Sequence, residues 1–253
     1  MRKFSNPSAL TLLFLTLLMS MAAGWAETSR ADTVVLPATA SRELALRYYF
    51  LIARGHLYSS IELARIGRLD HSVIHSRHGL DEAWIELARI LPAGEAQALR
   101  EKIEAVNEAV ALKSALPGIL AANDELNAYL EKLDQGLLRN GISRHRQKLD
   151  VLVLLLREAL AEYEVAWNGL QLENHVEYQD GYGFVSIARS ELHGIMPEMN
   201  TENPAATAEI EKSIEQMAHA WPSPEPPGKP AMSKAVLRAL VTAVELNARR
   251  FAR

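Results

Sequence analysis

The sequence contains no cysteine among its 253 residues. The protein therefore has neither disulfides nor thiolate metal ligands, although an exported protein could use disulfides. A cysteine nucleophile and a C-x-x-C-H haem attachment site are excluded for the same reason. Any metal site must be built from His, Asp, Glu, Met or Tyr, which favours ions that accept nitrogen and oxygen ligands.

An excess of basic residues is also missing, since 27 Lys and Arg stand against 31 Asp and Glu. Because binding to phosphates requires clustered Lys and Arg, a nucleic-acid partner is excluded. G-x-S-x-G, H-E-x-x-H and phosphate-loop motifs are absent, so the sequence assigns no catalytic residue and no nucleotide site. An enzyme, such as a hydrolase with paired carboxylates or a bound metal, remains the third hypothesis behind two non-enzymatic ones.

The only long hydrophobic run lies at the N-terminus. Arg2 and Lys3 precede an apolar stretch from Ala9 to Ala23, and small residues around Ala26 complete the pattern of a secretory signal peptide. We predict a signal peptide at 1–26, cleavage after Ala26, and a periplasmic protein with no transmembrane segment in the mature chain. An uncleaved anchor is the alternative, although the run is shorter than the ~20 residues of a membrane span.

The composition is poor in glycine and aromatic residues, and no segment alternates as a strand would. This composition predicts an all-α fold, a helical bundle of about seven to eight helices. We expect a linker at 27–40 and a single domain at 41–253, with a non-helical, Pro-rich connection at 222–230. Helices are predicted over about 41–66, 69–91, 94–114, 118–139, 143–168, 173–195, 205–221 and 232–251.

The segment "DHSVIHSRHGLDE" (70–82) carries a polar stripe. On a helix that advances ~100° per residue, its three histidines and Glu82 lie within ~60° of one another. Ligands spaced by three or four residues converge on a helix face, which suits metal binding. Val73 and Leu87 lie on the opposite face, so the sequence leaves open whether the stripe faces the core or the solvent. Gly79 could break the helix.

Two carboxylates occupy predicted core faces. Glu62 lies in the apolar stripe of the first helix, near His56, and Glu177 lies in that of the sixth helix, one turn before Asp180. A carboxylate on a core face must be paired, hydrogen-bonded, protonated or bound to a cation. The alternatives are that Glu62 pairs with an arginine such as Arg65, or that Glu177 stabilises the positive end of its helix.

Two further features bear on such a core. Gly181 and Gly183 predict either a close approach of two helices or a local kink. Glu158 and Glu162 interrupt the very apolar fifth helix. A bundle that turned His56, Glu62, Glu162 and Glu177 inward would be similar to the carboxylate–His sites of helical metalloproteins.

Four segments resemble a group of uncharacterised exported all-helical proteins of Gram-negative bacteria. They are "RGHLYSSIELARIG" (54–67), "HSRHGLDEAW" (75–84), "EYQDGYGFVSIAR" (177–189) and "VELNARRF" (244–251). The group's motifs are G-H-L…E-L, H-x-x-H-P-x-x-E and E-Y-Q-D-x-x-G-F, with Gly79 here in place of Pro. The resemblance selects His56, Glu62, His75, His78, Glu82, Glu177, Tyr178, Gln179 and Asp180. The chain has a weaker resemblance to imelysin-like periplasmic proteins, which are helical and linked to iron through a His-and-Glu helix motif, but their G-x-H-x-x-E arrangement is absent.

The leading hypothesis is a periplasmic protein that binds a transition-metal ion, with iron or copper favoured and zinc also compatible, for delivery, storage or sensing. Haem held by a single His stays open. The predicted ligands are His56, Glu62, His75, His78, Glu82, Glu177 and Asp180. The alternative is a structural or adaptor protein, in which residues 62–83 form a tetratricopeptide-like helix pair for another periplasmic protein and the polar groups form buried networks.

Overall fold

A succession of α-helices makes up nearly all of the described chain. The computed structural model describes residues 36, 40–112, 116–137 and 144–251, except for the side chains of residues 78–82. The predicted signal peptide therefore lies outside the described residues, as does the predicted linker apart from Leu36 and Ala40. None of the described helices combines the length and the hydrophobicity that crossing a membrane requires.

Eight helices and one small hairpin form this part of the chain, which confirms the all-α prediction. Ser41 caps the first helix, as predicted, because its side chain accepts a hydrogen bond from the backbone N–H of Leu44. Residues 222–230 contain no helix, also as predicted. The elements are α1 (Arg42–Arg65), α2 (Leu69–Ile90), α3 (Ala93–Ala111), α4 (Leu116–Gly136), α5 (Arg144–Ala166), β1 (Trp167–Asn168), β2 (Gln171–Leu172), α6 (His175–Glu202), α7 (Pro204–Ala218) and α8 (Lys234–Ala248).

Helices α5 to α8 form a closed group of four. Helix α6 packs against α5 and α7, and α8 packs against α7 and α5. Helix α5 is covered on nearly all sides, as its apolar sequence predicts, and Leu149, Leu152, Leu155 and Leu156 are fully buried. Burial stabilises the fold by about 1.5–3 kcal/mol for each such side chain, so this helix is central to the core.

Helices α1 and α2 pack against each other and against the group of four. Helix α1 lies on α5 and α6, and α2 contacts α6 on one side and α3 on the other. Helix α4 completes the layer by packing on α3 and α1. Because α2 lies between other helices, residues on both of its faces are covered, and Leu87 on the apolar face and His75 on the polar stripe are each fully buried.

The prediction that the sixth helix ends before Pro197 was wrong. Helix α6 continues through Pro197 to Glu202. Proline removes one backbone hydrogen bond from a helix interior. Continuing the helix, however, keeps Ile195 and Met199 fully buried on one face, four residues apart. The burial of a methionine side chain is worth about 1.5–3 kcal/mol, which offsets much of the proline penalty.

Several other boundaries differ by up to three residues, among them the start of α4 and the end of α5. Helix α4 begins at Leu116 and includes Pro117 in its first turn. Backbone N–H groups in the first turn have no hydrogen-bond partner within the helix, so proline, which lacks this group, is tolerated there. Helix α5 ends at Ala166, because the next residues form the β1–β2 hairpin. Gly169, with a φ of 59°, provides the left-handed conformation that this tight turn requires.

Helices α1 and α6 cross in close contact. A methyl group on Gly183 would overlap the carbonyl oxygen of Gly55, and one on Gly55 would overlap the ring of Phe184. The Ser59 hydroxyl also donates a hydrogen bond of 2.5 Å to the carbonyl oxygen of Gln179. Close helix approach, one of the two roles predicted for Gly183, is therefore confirmed. This contact brings the first turns of α6 against the middle of α1.

Candidate metal centre

Three potential metal ligands meet between α1, α2 and α6. His56, His75 and Asp180 each offer one ligand atom, and these atoms lie within 4.8 Å of one another. The Nδ1 atoms of His56 and His75 lie 2.6 and 2.7 Å from Asp180 Oδ1. All three residues are buried, with exposures of 1%, 0% and 2%. Two imidazole nitrogens and a carboxylate oxygen suit Fe, Mn, Cu or Zn.

The distances from the two Nδ1 atoms to Asp180 Oδ1 are close to those between neighbouring ligands on one metal ion. Metal–ligand bonds of about 2.0–2.2 Å place neighbouring ligand atoms about 3 Å apart. The two Nδ1–Oδ1 distances would therefore lengthen by less than about half an ångström on binding. The ion would take the place of the protons that the two imidazoles now donate to Asp180.

Asp180 is held in its charged form. Burial opposes the charge, but the positive charges of His56 and His75 and their hydrogen bonds outweigh burial, and hold the pKa of Asp180 well below its usual range. A charged carboxylate can only accept hydrogen bonds, so both Nδ1 atoms donate to it. In the metal-free protein, histidine protons thus compensate the charge of Asp180.

A line of hydrogen bonds connects this cluster to the protein surface. His75 Nε2 donates to Gln179 Oε1 at 2.8 Å, and His71 Nδ1 donates to the same oxygen at 3.0 Å. Gln179 is fully buried, whereas the His71 side chain is 18% exposed. The His71 ring contacts the ring of His175, with centroids 6.2 Å apart. Burial and the positive charge of His71 lower the pKa of His175, which keeps it neutral to a lower pH.

Buried carboxylates of α5 and α6 lie beside the cluster. Glu162 and Glu177 share a hydrogen bond, and both are more than nine-tenths buried. Burial, this hydrogen bond and the negative charges of Glu177, Asp180 and Glu158 raise the pKa of Glu162 well above its usual value. Glu162 is therefore protonated at a pH where an exposed glutamate is charged. Glu158 accepts a hydrogen bond of 2.8 Å from the Tyr48 hydroxyl.

The substitution Glu162→Gln is expected to stabilise the metal-free protein at high pH. Because the pKa of Glu162 is raised on folding, its contribution to stability is present below the unfolded value of about 4.3 and is lost as pH rises through the folded pKa. Glutamine has the same shape and no charge, so we expect a gain on the order of 1 kcal/mol at pH 8 and almost none at pH 4. Urea unfolding with a chelator present measures both values. A variant that is equally destabilised at both pH values would show that Glu162 is not protonated.

Three of the seven ligands predicted from the sequence come together in the structure, namely His56, His75 and Asp180. A fourth, Glu177, lies in the neighbouring acid pair with Glu162. These four residues come from helices α1, α2 and α6, and the close contact of α1 with α6 brings His56 against Asp180.

Glu62 points away from the cluster. It follows His56 by six residues, which turns it about 240° around α1. Its carboxylate pairs with Arg65, the alternative that the sequence left open, and it lines a surface cavity of about 110 Å³ beside α4. The last two predicted ligands, His78 and Glu82, belong to α2, but their side chains lie outside the described part of the chain. Their role as ligands stays a prediction.

Three residues of this region were not among the predicted ligands, namely His71, His175 and Glu162. His71 shares the polar stripe of His75, and Glu162 interrupts an apolar helix, so a pattern in the sequence pointed to each of these two residues. No pattern pointed to His175, because more than a hundred residues separate it from His71.

These observations define an all-α helical bundle whose core holds a His–carboxylate cluster. Residues 140–252 match the model of a family described as an iron permease-associated 4-helix bundle domain. No curated protein and no solved structure matches the chain. The similarity of this part of the chain is to a domain associated with iron permeases.

The matched residues contain α5 to α8 but only part of the cluster. Asp180 and the pair of Glu162 and Glu177 lie within the match, whereas His56 and His75 lie upstream of it, on α1 and α2. The cluster therefore forms where two helices outside the matched residues pack on the four-helix group.

Proposed function

We propose that the protein binds iron in the periplasm and passes it to an iron permease. The observation that carries this proposal is the convergence of His56, His75 and Asp180 from three helices into one buried cluster. The similarity of residues 140–252 to an iron permease-associated domain favours iron over the other ions that suit these ligands. The predicted signal peptide supports the periplasmic location.

Iron binding at this cluster is coupled to proton release. Both Nδ1 atoms must give up the protons that they donate to Asp180 before they can bind the ion. A bound cation also favours the charged form of Glu162, because a nearby positive charge lowers the pKa of a carboxyl group. The affinity for iron therefore falls as pH falls.

The size of the cluster suits delivery rather than storage. His56, His75 and Asp180 supply three ligand atoms, which hold one ion. Delivery also requires that the ion can leave, and a small number of protein ligands leaves coordination positions for water or for the groups of an acceptor. Glu177, His78 and Glu82 are the residues that could complete the coordination.

An anaerobic titration of residues 27–253 with ferrous iron at pH 7.5 tests the proposal. We expect about one ion per chain, and a loss of affinity of about 100-fold or more in His75→Gln, since even indirect partners of a ligand contribute about 10–100-fold. His145→Gln is the matched control, because His145 is also buried and lies 2.7 Å from a carboxylate oxygen of Glu202. It lies ~25 Å along α5 from Glu162. If the parent protein binds no iron, the proposal is wrong.

Parallel titrations with copper, zinc and manganese establish the preference for the ion. The same ligand set binds Cu²⁺ more tightly than Fe²⁺ in most proteins, so affinity alone does not identify the physiological ion. Iron is supported if the parent binds it with a Kd in the micromolar range or lower and if this binding is lost in His75→Gln.

A structural role for the same cluster is the second candidate. The hydrogen bonds that connect His71, Gln179, His75, Asp180 and His56 form a buried network, and such networks fix helix packing. Under this hypothesis, His75→Gln lowers the melting temperature equally with iron and with a chelator. Under the iron hypothesis, iron at 100 times its Kd stabilises the parent by about 2.7 kcal/mol, and does not stabilise the variant.

A further inference from the structure

We infer that His71 and His175 form an outer, transient metal-binding pair through which the ion enters and leaves the buried cluster. The inference rests on the proposed binding of iron by His56, His75 and Asp180. It assigns a function to His71, which belongs to the polar stripe of His75 but is not a ligand in the buried cluster.

The burial of the cluster requires a route for the ion. On the side of α6, the ring of Phe184 covers His56, with ring centroids 5.1 Å apart. On the side of α2, the line of polar groups leads outward, from His75 through Gln179 to the partly exposed His71. Each step along this line is a hydrogen bond of 3.0 Å or less. An ion that follows the line therefore meets a nitrogen or oxygen ligand at every stage, once it displaces the proton of each histidine nitrogen.

The arrangement of the outer pair suits a weakly held ion. Two imidazoles on one ion, with bonds of about 2.1 Å, have ring centroids about 5–6 Å apart. The centroids of His71 and His175 lie 6.2 Å apart. Asp70 Oδ2, which is largely exposed, lies 3.7 Å from His71 Nε2 and adds a negative charge beside this ring. Partly exposed ligands of this kind bind an ion more weakly than the buried cluster, as a transfer site requires.

The charged residues around His71 and His175, at the outer end of this route, attract cations. Arg68 pairs with Asp70 and with Glu225, so this ion-pair group holds two acids and one base. Glu225 belongs to the Pro-rich connection, and its charge acts on His175. The net negative charge of this group raises the local concentration of a metal cation and its rate of association.

Gln179 lies between the outer pair and the cluster, and its amide can move. Its Oε1 atom accepts hydrogen bonds from both His71 and His75, while its buried Nε2 atom has no partner among the described residues. Rotation of the amide therefore breaks only the two histidine bonds. That movement removes the amide from between His71 and His75, and no hydrogen bond of the side-chain nitrogen has to break.

The kinetics of iron binding test the inference. The double variant His71→Ala/His175→Ala is mixed with ferrous iron under anaerobic conditions, and free iron is read with a chromophoric chelator after set delays. Extraction of iron from the loaded protein by excess chelator gives the dissociation rate. A residue on the route affects entry and exit alike, so we expect both rates to fall about tenfold while their ratio, the Kd, stays unchanged. The control is His193→Ala/His219→Ala, which removes two exposed histidines elsewhere.

The outcomes separate this inference from the proposed function. Unchanged rates in the His71/His175 variant overturn the inference and leave iron binding intact. A weaker Kd with an unchanged association rate also overturns it, because the two histidines would then be ligands of the stable site. A parent that binds no iron overturns the proposed function itself.

Discussion

Asp180→Asn is expected to abolish high-affinity iron binding and to lower the stability of the metal-free protein by about 2 kcal/mol. Asparagine has nearly the same shape, but it lacks the negative charge that accepts the hydrogen bonds of His56 and His75 and that would bind the ion. The affinity should fall by about 100-fold or more, as for the loss of any direct ligand. Calorimetric titration with iron and urea unfolding in a chelator measure the two effects.

The destabilisation by Asp180→Asn should depend on pH with a definite sign. Because folding lowers the pKa of Asp180, its contribution to stability is present above the unfolded value of about 3.9 and is lost as pH falls through the folded pKa. The gap in stability between parent and variant is therefore widest near neutral pH and narrows below about pH 4. Asp124→Asn, the same change at an exposed position of α4, should alter stability by less than about 0.5 kcal/mol. A gap that widens on acidification would contradict the charge assigned to Asp180.

Gly183→Ala is expected to destabilise the protein by about 3 kcal/mol, although it adds a single methyl group. The added group would overlap the carbonyl oxygen of Gly55, and this atom belongs to a helix backbone that cannot rotate away. Helices α1 and α6 would have to separate, which would also draw His56 away from Asp180. The melting temperature should fall by about 6–12 °C, and the affinity for iron should fall with it.

Gly194→Ala provides the matched control for this prediction. Gly194 also lies in α6, but nothing lies within 4 Å of the methyl group that alanine would add. Alanine is favoured over glycine inside a helix, so this variant should gain about 0.5–1 kcal/mol. Thermal unfolding of both variants compares the same chemical change on the same helix. Equal shifts of the two melting temperatures would refute the close helix contact.

The helices could be predicted because their signals are local. Ser41 as a cap, Gly67 as a stop and the Pro-rich connection at 222–230 each act through neighbouring residues. Pro197 misled the prediction, because the burial of Met199 against other helices decides the length of α6. That burial is a property of the assembled bundle and cannot be derived from the residues around the proline.

The candidate site could be predicted only in part. His56 and Asp180 were selected by the resemblance and by their nearness to predicted apolar faces, whereas His75 was selected by its polar stripe and the resemblance. The argument from apolar faces also selected Glu62, which pairs with Arg65 instead. A helical wheel gives the side on which a residue lies, but it does not say which helix covers that side. The packing of α2 between its neighbours buries His75, and no local pattern encodes that packing.

The similarity to an iron permease-associated domain and the geometry of the cluster bear on different parts of the chain. The match supplies α5 to α8 and, with them, Asp180 and the acid pair of Glu162 and Glu177. The two histidines that complete the proposed site come from α1 and α2. Under the proposed function, a fragment that starts at the matched residues would therefore lack iron affinity, because it lacks both imidazole ligands.

The metal content of the protein isolated from the cells that produce it tests the central claim most directly. The mature chain, purified without a histidine tag, is examined by elemental analysis beside the double variant His56→Gln/His75→Gln. We predict about one iron atom per chain in the parent and none in the variant. A parent that carries no metal, together with a variant whose folding is unchanged, would contradict the assignment of this cluster as a metal centre.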